Sequence, residues 1–458
     1  MAVNQRILSV MQEKIGEGQE DAFIVVDLKD VHEKFNAWHR HLPRVEPFYA
    51  VKCNDDVAIL REMVKLGMNY DCASKGEIQK MLSLGARPSS IIYANPCKQL
   101  SHLRYAKDVG VEMITFDNAD ELCKIKMVHP HCKLLLRLLP DDSKSVCRLG
   151  NKYGARLSMV EYLLKLSQQL ELKVCGVSYH VGSGCYDESA FIDAIYLARK
   201  AFDIAEAQGV KLEILDIGGG FPGDSVSEWN EDPVPTDTTT GSKALMFPEI
   251  ARQITLTLDQ LFPRESGVRI IAEPGRYFVH SCATLAVSVI GKRTAANNPC
   301  ETSTLASTSE EDTEGSSCDH MNSIQSMDGS VDTADSITDQ FNDSSAVMYY
   351  INEGVYGTFN NVIYDHAIVS PLCNVLPVMR DVNDTRNNSD SILCSLWGPS
   401  CDGLDCIVPE MYLPNLKVGS WLYFTNMGAY TSCAAASFNG FELPTKICLS
   451  VNEEDIFE

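Results

Sequence analysis

The sequence predicts an α/β chain: a (β/α)8 barrel followed by a mostly antiparallel β domain. Three observations predict it. Eight strand-like apolar runs occupy the first 280 or so residues, and helix-like periodicity fills the gaps between them. The first five runs begin about every 21 residues, the repeat of strand, loop and helix. Beyond about residue 282 the β-rich runs continue without intervening helices.

Taken in order, the opening 1–20 is polar and charged, and is expected to form an arm or helix packing on the second domain. The barrel domain is placed at 21–281. Its strands are PFYAVK (47–52), MNYDCAS (68–74), SIIYANP (90–96), EMITFD (112–117), KLLLRLL (133–139), VCGVSYHVGSG (174–184), LEILDIGGG (212–220) and VRIIAEPGRYF (268–278). Helical patterns such as AILREMVKLG and GEIQKMLSLG close on glycine, where a helix C-cap belongs. The β domain is placed at 282–458, built from TLAVSVIGKR, AVMYYINEGVYGTF, SILCSLWG, SWLYFTNMG and KICLSV. A disordered acidic insertion is expected to interrupt it at 294–345, where Ser, Thr, Asp and Glu dominate and too little apolar surface exists to offset ordering entropy.

The net charge of -23 argues against nucleic-acid binding, which needs clustered Lys and Arg. Eleven of the acids fall in the insertion, which has no Lys or Arg, so the folded part is only moderately acidic. No run approaches the ~20 apolar residues of a membrane span, and the start lacks a signal-peptide core. A soluble, cytoplasmic protein is expected. The 17 cysteines are scattered without paired CxxC spacing and read as free, mostly buried thiols; no metal site is expected.

In such a barrel the chemistry belongs at the C-terminal ends of the strands. Lys52 follows PFYAV, which places its amine in a partly desolvated mouth. Desolvation lowers an amine's pKa and favours the neutral nucleophile that condenses with an aldehyde. Alone, a lysine at a strand end is ordinarily a solvated surface group. Gly218, Gly219 and Gly220 offer backbone N–H groups to an anion with no Cβ in the way, although a tight turn explains the same residues. They lack the GK[ST] of a nucleotide loop and GxGxxG spacing, so a single phosphate is the better guest. Glu273 and Arg276, in EPGRYF, read alone as a structural ion pair; together they can serve a protonated pyridine nitrogen and a phosphate. His180, in SYHVGSG, can lay its ring on another aromatic ring and Ser183 can donate to phosphate, where a lone histidine is more often a core residue. The set fits a cofactor carrying both an aldehyde and a phosphate.

From about residue 21 to 441 the motifs PFYAVKCND, DCASKGEIQ, IIYANPCKQ, DDSKSVCRLG, HVGSGC, LDIGGGFPG, RIIAEPGRYF, VYGTFNNVIYDH, LWGPSCDGLD and NMGAYT occur in order. By these the chain resembles the eukaryotic ornithine decarboxylase family, pyridoxal-phosphate enzymes with a barrel and a β domain, which also includes the antizyme inhibitors. The resemblance implies decarboxylation of L-ornithine to putrescine, the first step of polyamine synthesis. It implies that Lys52 holds pyridoxal 5'-phosphate covalently, that His180 stacks on its ring, and that Glu273 pairs with the pyridine nitrogen. Ser183, Gly218, Gly219, Gly220, Arg276 and Tyr430 then match the phosphate site, and Asp71 and Arg137 match further cofactor contacts.

The resemblance also implies a homodimer with shared active sites, in which Cys401 and Asp402 reach into the partner's barrel. Cys401 would handle the proton returned to Cα. Asp365 and Asp402 would hold the distal ammonium of the substrate, with Tyr356 lining the site. Two alternatives stay open: the same chemistry on lysine, arginine or an apolar amino acid, or a catalytically inactive antizyme inhibitor. The stretch 102–126 resembles an antizyme-binding segment, with Arg104 and Lys124 at basic positions. Glu353 stands where the family usually has Asp, the acidic insertion is longer than the usual loop, and the sequence stops at 458 without the tail that directs vertebrate enzymes to degradation, so turnover by that route is not expected.

Overall fold

The computed structural model describes residues 4–230, 245–294, 347–373 and 391–451; the acidic insertion beyond Thr294 lies outside the described residues. The first strand, β1 (Phe23–Asp27), is not part of the barrel, although it falls inside the stretch assigned to that domain. It pairs antiparallel with β12 (Ala283–Thr294) and parallel with β18 (Thr445–Leu449) in the second sheet. Its five residues are all buried, which only a place inside a covered sheet allows. The helix Gln5–Gly16 packs on this sheet, with Ile7 and Met11 against Phe23, Val25 and Tyr423.

The closed barrel runs through β2 (Val45–Ala50), β3 (Asn69–Cys72), β4 (Ile91–Tyr93), β5 (Met113–Phe116), β6 (Lys133–Arg137), β8 (Lys173–Ser178), β10 (Ile214–Asp216) and β11 (Arg269–Ala272), with β11 returning to β2. All eight neighbours pair in parallel, and each strand overlaps one of the eight runs read from the sequence, β2 and β8 beginning two residues and one residue ahead of theirs. The run 174–184 is not one strand. It breaks after Ser178, and Ser183–Cys185 (β9) leaves the barrel to pair antiparallel with Ser145–Cys147 (β7), so His180 sits in the connecting turn.

Local sequence explains the helices between. Asp56 caps Val57–Lys65 by accepting from the Ala58 N–H, and Ser74 caps Lys75–Ser83 by accepting from the Glu77 N–H. Each such cap stabilises its helix by about 1 kcal/mol. Gly67 and Gly85 follow these helices with φ of +74° and +99°, the left-handed closure expected of the glycine endings.

The second sheet orders β14 (Leu372–Cys373), β17 (Trp421–Phe424), β12, β13 (Val347–Ile351), β15 (Ser391–Trp397) and β16 (Cys406–Pro414). Its pairings are antiparallel except β13 with β15 and β1 with β18. Every cysteine among the described residues is a free thiol. No helix among them is long and apolar enough to cross a membrane.

Candidate active site

Side chains alternate along a strand, so residues two apart share a face. Inside the barrel, Phe48, Ile92, Leu135, Ile214 and Ile271 form a buried apolar cluster. Two residues beyond Leu135, Ile214 and Ile271 stand Arg137, Asp216 and Glu273, and four beyond Phe48 stands Lys52. Asp71 is in register with Ile92 and joins the same face. The lower barrel is therefore packed with hydrocarbon and its C-terminal mouth is lined with charge.

Lys52 Nζ contacts the carboxylate of Asp71, which is fully buried. Burial pulls the amine's pKa down, the direction expected from the sequence. The carboxylate of Asp71, with Tyr430 and Glu273 behind it, outweighs that pull and raises the pKa above the ordinary lysine value. The expectation of a neutral amine is thus reversed: Lys52 rests as an ammonium ion. Glu77 lies beside this pair and accepts from the Ala73 N–H at 2.6 Å; burial, then Asp71, holds its carboxyl above the usual range.

Glu273 is buried, and burial, reinforced by Asp216 and Asp71, pushes its carboxyl well above the ordinary glutamate value. Its backbone N–H donates to the Gly218 carbonyl at 2.6 Å. His180 is held far below the ordinary histidine pKa by burial, then by Arg137 and Lys52, so its ring is neutral. Its Nδ1 lies 3.0 Å from the Gly182 N–H and accepts from it, which puts the ring proton on Nε2.

A second cluster stands at one side of the mouth. Arg276 Nη2 donates to Ser183 Oγ at 3.0 Å, and its guanidinium lies 5.2 Å from the Tyr430 ring centroid. The three glycines are required by close approach. A Cβ on Gly218 would sit 1.9 Å from the Tyr179 carbonyl oxygen, one on Gly219 2.8 Å from His180 Nε2, and one on Gly220 2.6 Å from the Gly182 carbonyl oxygen. Tyr430 has φ +54°, a left-handed conformation costly for a side chain of this size. Its N–H donates to the Cys53 carbonyl at 2.9 Å, and Asn360 Nδ2 grips the next residue by donating to the Thr431 carbonyl at 2.7 Å.

Asp365 joins this cluster, accepting from Arg276 Nη2 at 2.7 and 2.6 Å. Cys401, Asp402 and Tyr356 do not. Tyr356 donates to Asp402 and stacks on Phe438 with centroids 4.2 Å apart, beside a shallow cleft lined by Glu353, Pro399 and Phe441. Cys401 is exposed, and none of its described contacts is with the barrel mouth of its own chain.

The comparisons follow the same division. A family model described as the pyridoxal binding domain of pyridoxal-dependent decarboxylases matches residues 28–280. The chain belongs to the pyridoxal-dependent decarboxylase family. Rat ornithine decarboxylase is 44% identical over 439 residues, 95% of this chain and 83% of that protein. An antizyme inhibitor 2 from Xenopus laevis is 42% identical over 94% of this chain and 83% of its own length. The Paramecium bursaria Chlorella virus arginine decarboxylase bound to agmatine superposes with a TM-score of 0.77 at 34% identity, covering 96% of this chain and all of that one.

The decarboxylase cofactor fits the residues present. Asp71 Oδ1, Glu273 Oε1 and Arg276 Nε are buried without a hydrogen-bond partner, and the glycine turn packs its backbone closely against Tyr179, His180 and Gly182 beside them. Unsatisfied buried polar atoms are costly, and a ring nitrogen and a phosphate supply the missing partners. Two residues of this pocket were missed in the sequence, Asp216 and Glu77. Asp216 had a signal, since it precedes the triple glycine on the inward face of its strand; Glu77 lies on a helix and had none beyond its place in DCASKGEIQ.

Proposed function

We propose that the protein decarboxylates L-ornithine to putrescine and carbon dioxide as a homodimer with pyridoxal 5'-phosphate in the barrel mouth. The observation that carries this reading is the convergence of Lys52, Asp71, Glu273, Ser183 and Arg276 in one lumen beside the carboxylate of Asp365. When bound, the pyridoxal group supplies an electrophilic carbonyl and a ring that takes up the electron pair left as carbon dioxide departs. Lys52 would hold that carbonyl once its ammonium has given a proton to Asp71 beside it. Glu273 presents a carboxyl oxygen to the ring nitrogen and keeps it protonated. His180, neutral and flat, covers the ring and excludes water without adding charge. Arg276, Ser183 and the N–H groups of Gly219 and Gly220 hold the phosphate.

Arg276 then has a phosphate to pair with, which frees Asp365 for a cationic substrate group. Asp402 and Asp365 grip the distal ammonium together, and Cys401 returns the proton to Cα. A buried carboxylate without a cation costs several kcal/mol, which disfavours leucine relative to a diamino acid. Cys401, Asp402 and Tyr356 would enter the site of a second copy. Leu404, close in sequence to Asp402, and Tyr364 and Ile368, close to Asp365, are exposed at 67, 72 and 100%, apolar side chains suited to that contact. The same reading puts the protein in the cytoplasm and antizyme on 102–126, where Arg104 is exposed and Lys124 pairs with Glu121.

The test is carbon dioxide release from ornithine, lysine, arginine and leucine by purified protein with added pyridoxal phosphate, alongside its visible spectrum. Release from ornithine with a bound-cofactor band supports the proposal. Turnover of another amino acid keeps the chemistry and moves the substrate. Neither band nor turnover favours an antizyme-binding regulator.

A further inference from the structure

Asp216 ends β10 with its side chain fully buried. Its Oδ1 accepts from the Gly218 N–H at 2.9 Å, and its Oδ2 is buried with no donor facing it. Glu273, on the adjacent strand path, likewise leaves Oε1 buried without a donor. Asp216 and Glu273 face each other at the ends of adjacent strands, where a hydrogen bond between them would need a proton on one of the two. Two carboxylates cannot make that bond; one acid and one carboxylate can, and the two orphaned oxygens are accounted for if a single proton lies between the groups. Gly218 fixes their separation, because its N–H binds Asp216 while its carbonyl accepts from the Glu273 N–H.

We infer that Asp216 is a positioning residue that shares one proton with Glu273 and takes that proton when Glu273 meets a protonated ring nitrogen. The inference rests on Glu273 facing that nitrogen. It follows from charge balance in the lumen. The pair carries one negative charge, which matches one protonated ring nitrogen; two ionised acids would leave an excess charge in a buried site. The proton count is unchanged by the transfer, since it passes from Glu273 to Asp216 and none is lost to solvent. The other groups facing the pair are Asp71, Lys52, Arg137 and Tyr179. Lys52 is engaged by Asp71, and among the described residues no cation makes a direct ion pair with either Asp216 or Glu273. Burial, the largest influence on both acids, favours keeping the shared proton near neutral pH.

The test is infrared spectroscopy of the cofactor-free protein, following the stretch of a protonated carboxyl against pH. Wild type is expected to keep one such band at neutral pH. In Asp216→Asn the amide donates to Glu273 and no like charge remains, so the band should titrate at least about one pH unit lower. Glu273→Gln leaves Asp216 in place and should show the same shift, which serves if Asp216→Asn fails to fold. No band in wild type at neutral pH, or a band whose titration neither variant moves, overturns the inference. Cofactor affinity separates the two layers of the argument. If Glu273→Gln binds pyridoxal phosphate as tightly as wild type, with the same visible spectrum, the placement of Glu273 fails, whatever the infrared result.

Discussion

Gly219→Ala tests whether the glycine turn and His180 are one device. Gly219 has no left-handed φ, so alanine is allowed by its backbone and only the added methyl matters. That methyl would lie 2.7 Å from the Glu273 carbonyl oxygen and 2.8 Å from His180 Nε2, whereas ordinary contact begins at 3.4 Å. Both contacts must open by roughly 0.6 to 0.7 Å: the imidazole can turn aside, but the Glu273 oxygen belongs to the barrel backbone, so the glycine turn must shift as well. Overpacking of this kind costs about 1–3 kcal/mol. If that cost falls on the cofactor-bound state, affinity for pyridoxal phosphate drops about 5- to 150-fold. The assay is titration of the cofactor-free protein by absorbance, with thermal unfolding measured in parallel to separate lost binding from lost fold. Wild-type affinity and spectrum in a variant of wild-type stability would refute the reasoning.

Lys52→Ala should no longer retain the cofactor through gel filtration, and decarboxylation should fall by at least about 100-fold while the circular dichroism spectrum is kept; a fully active variant rules out the role given to Lys52. Asp402→Ala should raise KM for ornithine by about 30-fold or more with cofactor affinity nearly unchanged, and equal loss of both points to a structural role instead. Acid should destabilise the protein through its buried histidines. The unfolded chain protonates each below about pH 6.5 while His180 stays neutral and His280 is pushed down to about 3 by burial and Arg276, so stability falls as pH drops through that window. Each contributes at most about 1.4 kcal/mol per pH unit, and His280→Gln should flatten the slope seen in urea unfolding.

The barrel was legible because its signal is local: apolar runs at regular spacing, glycines at helix ends, and polar residues falling two beyond the last lumen-facing apolar residue of a strand. What lay beyond the sequence depends on contacts between distant segments. β1 is an ordinary strand of four apolar residues and Asp27 whose partners stand some 260 and 420 residues away, so nothing nearby marks it as foreign to the barrel. β16 carries two prolines, which argue against a strand, and it is tolerated at the end of its sheet. The sign of the Lys52 shift was missed because burial is readable from neighbours in sequence, whereas the opposing carboxylate comes from the next strand of the barrel. Cys401, Asp402 and Tyr356 were identified by their motifs, yet within one chain they meet one another and not the lumen.

The pairing of β1 with both β12 and β18 imposes an order on synthesis. The barrel can close once β11 has left the ribosome, but β1 waits for β12 and then for the strand that starts at Thr445. Until then a largely apolar strand with an open edge hangs from a finished barrel, the kind of edge that recruits other chains. A ribosome stalled before the strand at Thr445 has emerged would therefore release an aggregation-prone species whose cofactor pocket is largely built. Chaperone demand should persist until that strand has emerged, long after Lys52 is in place.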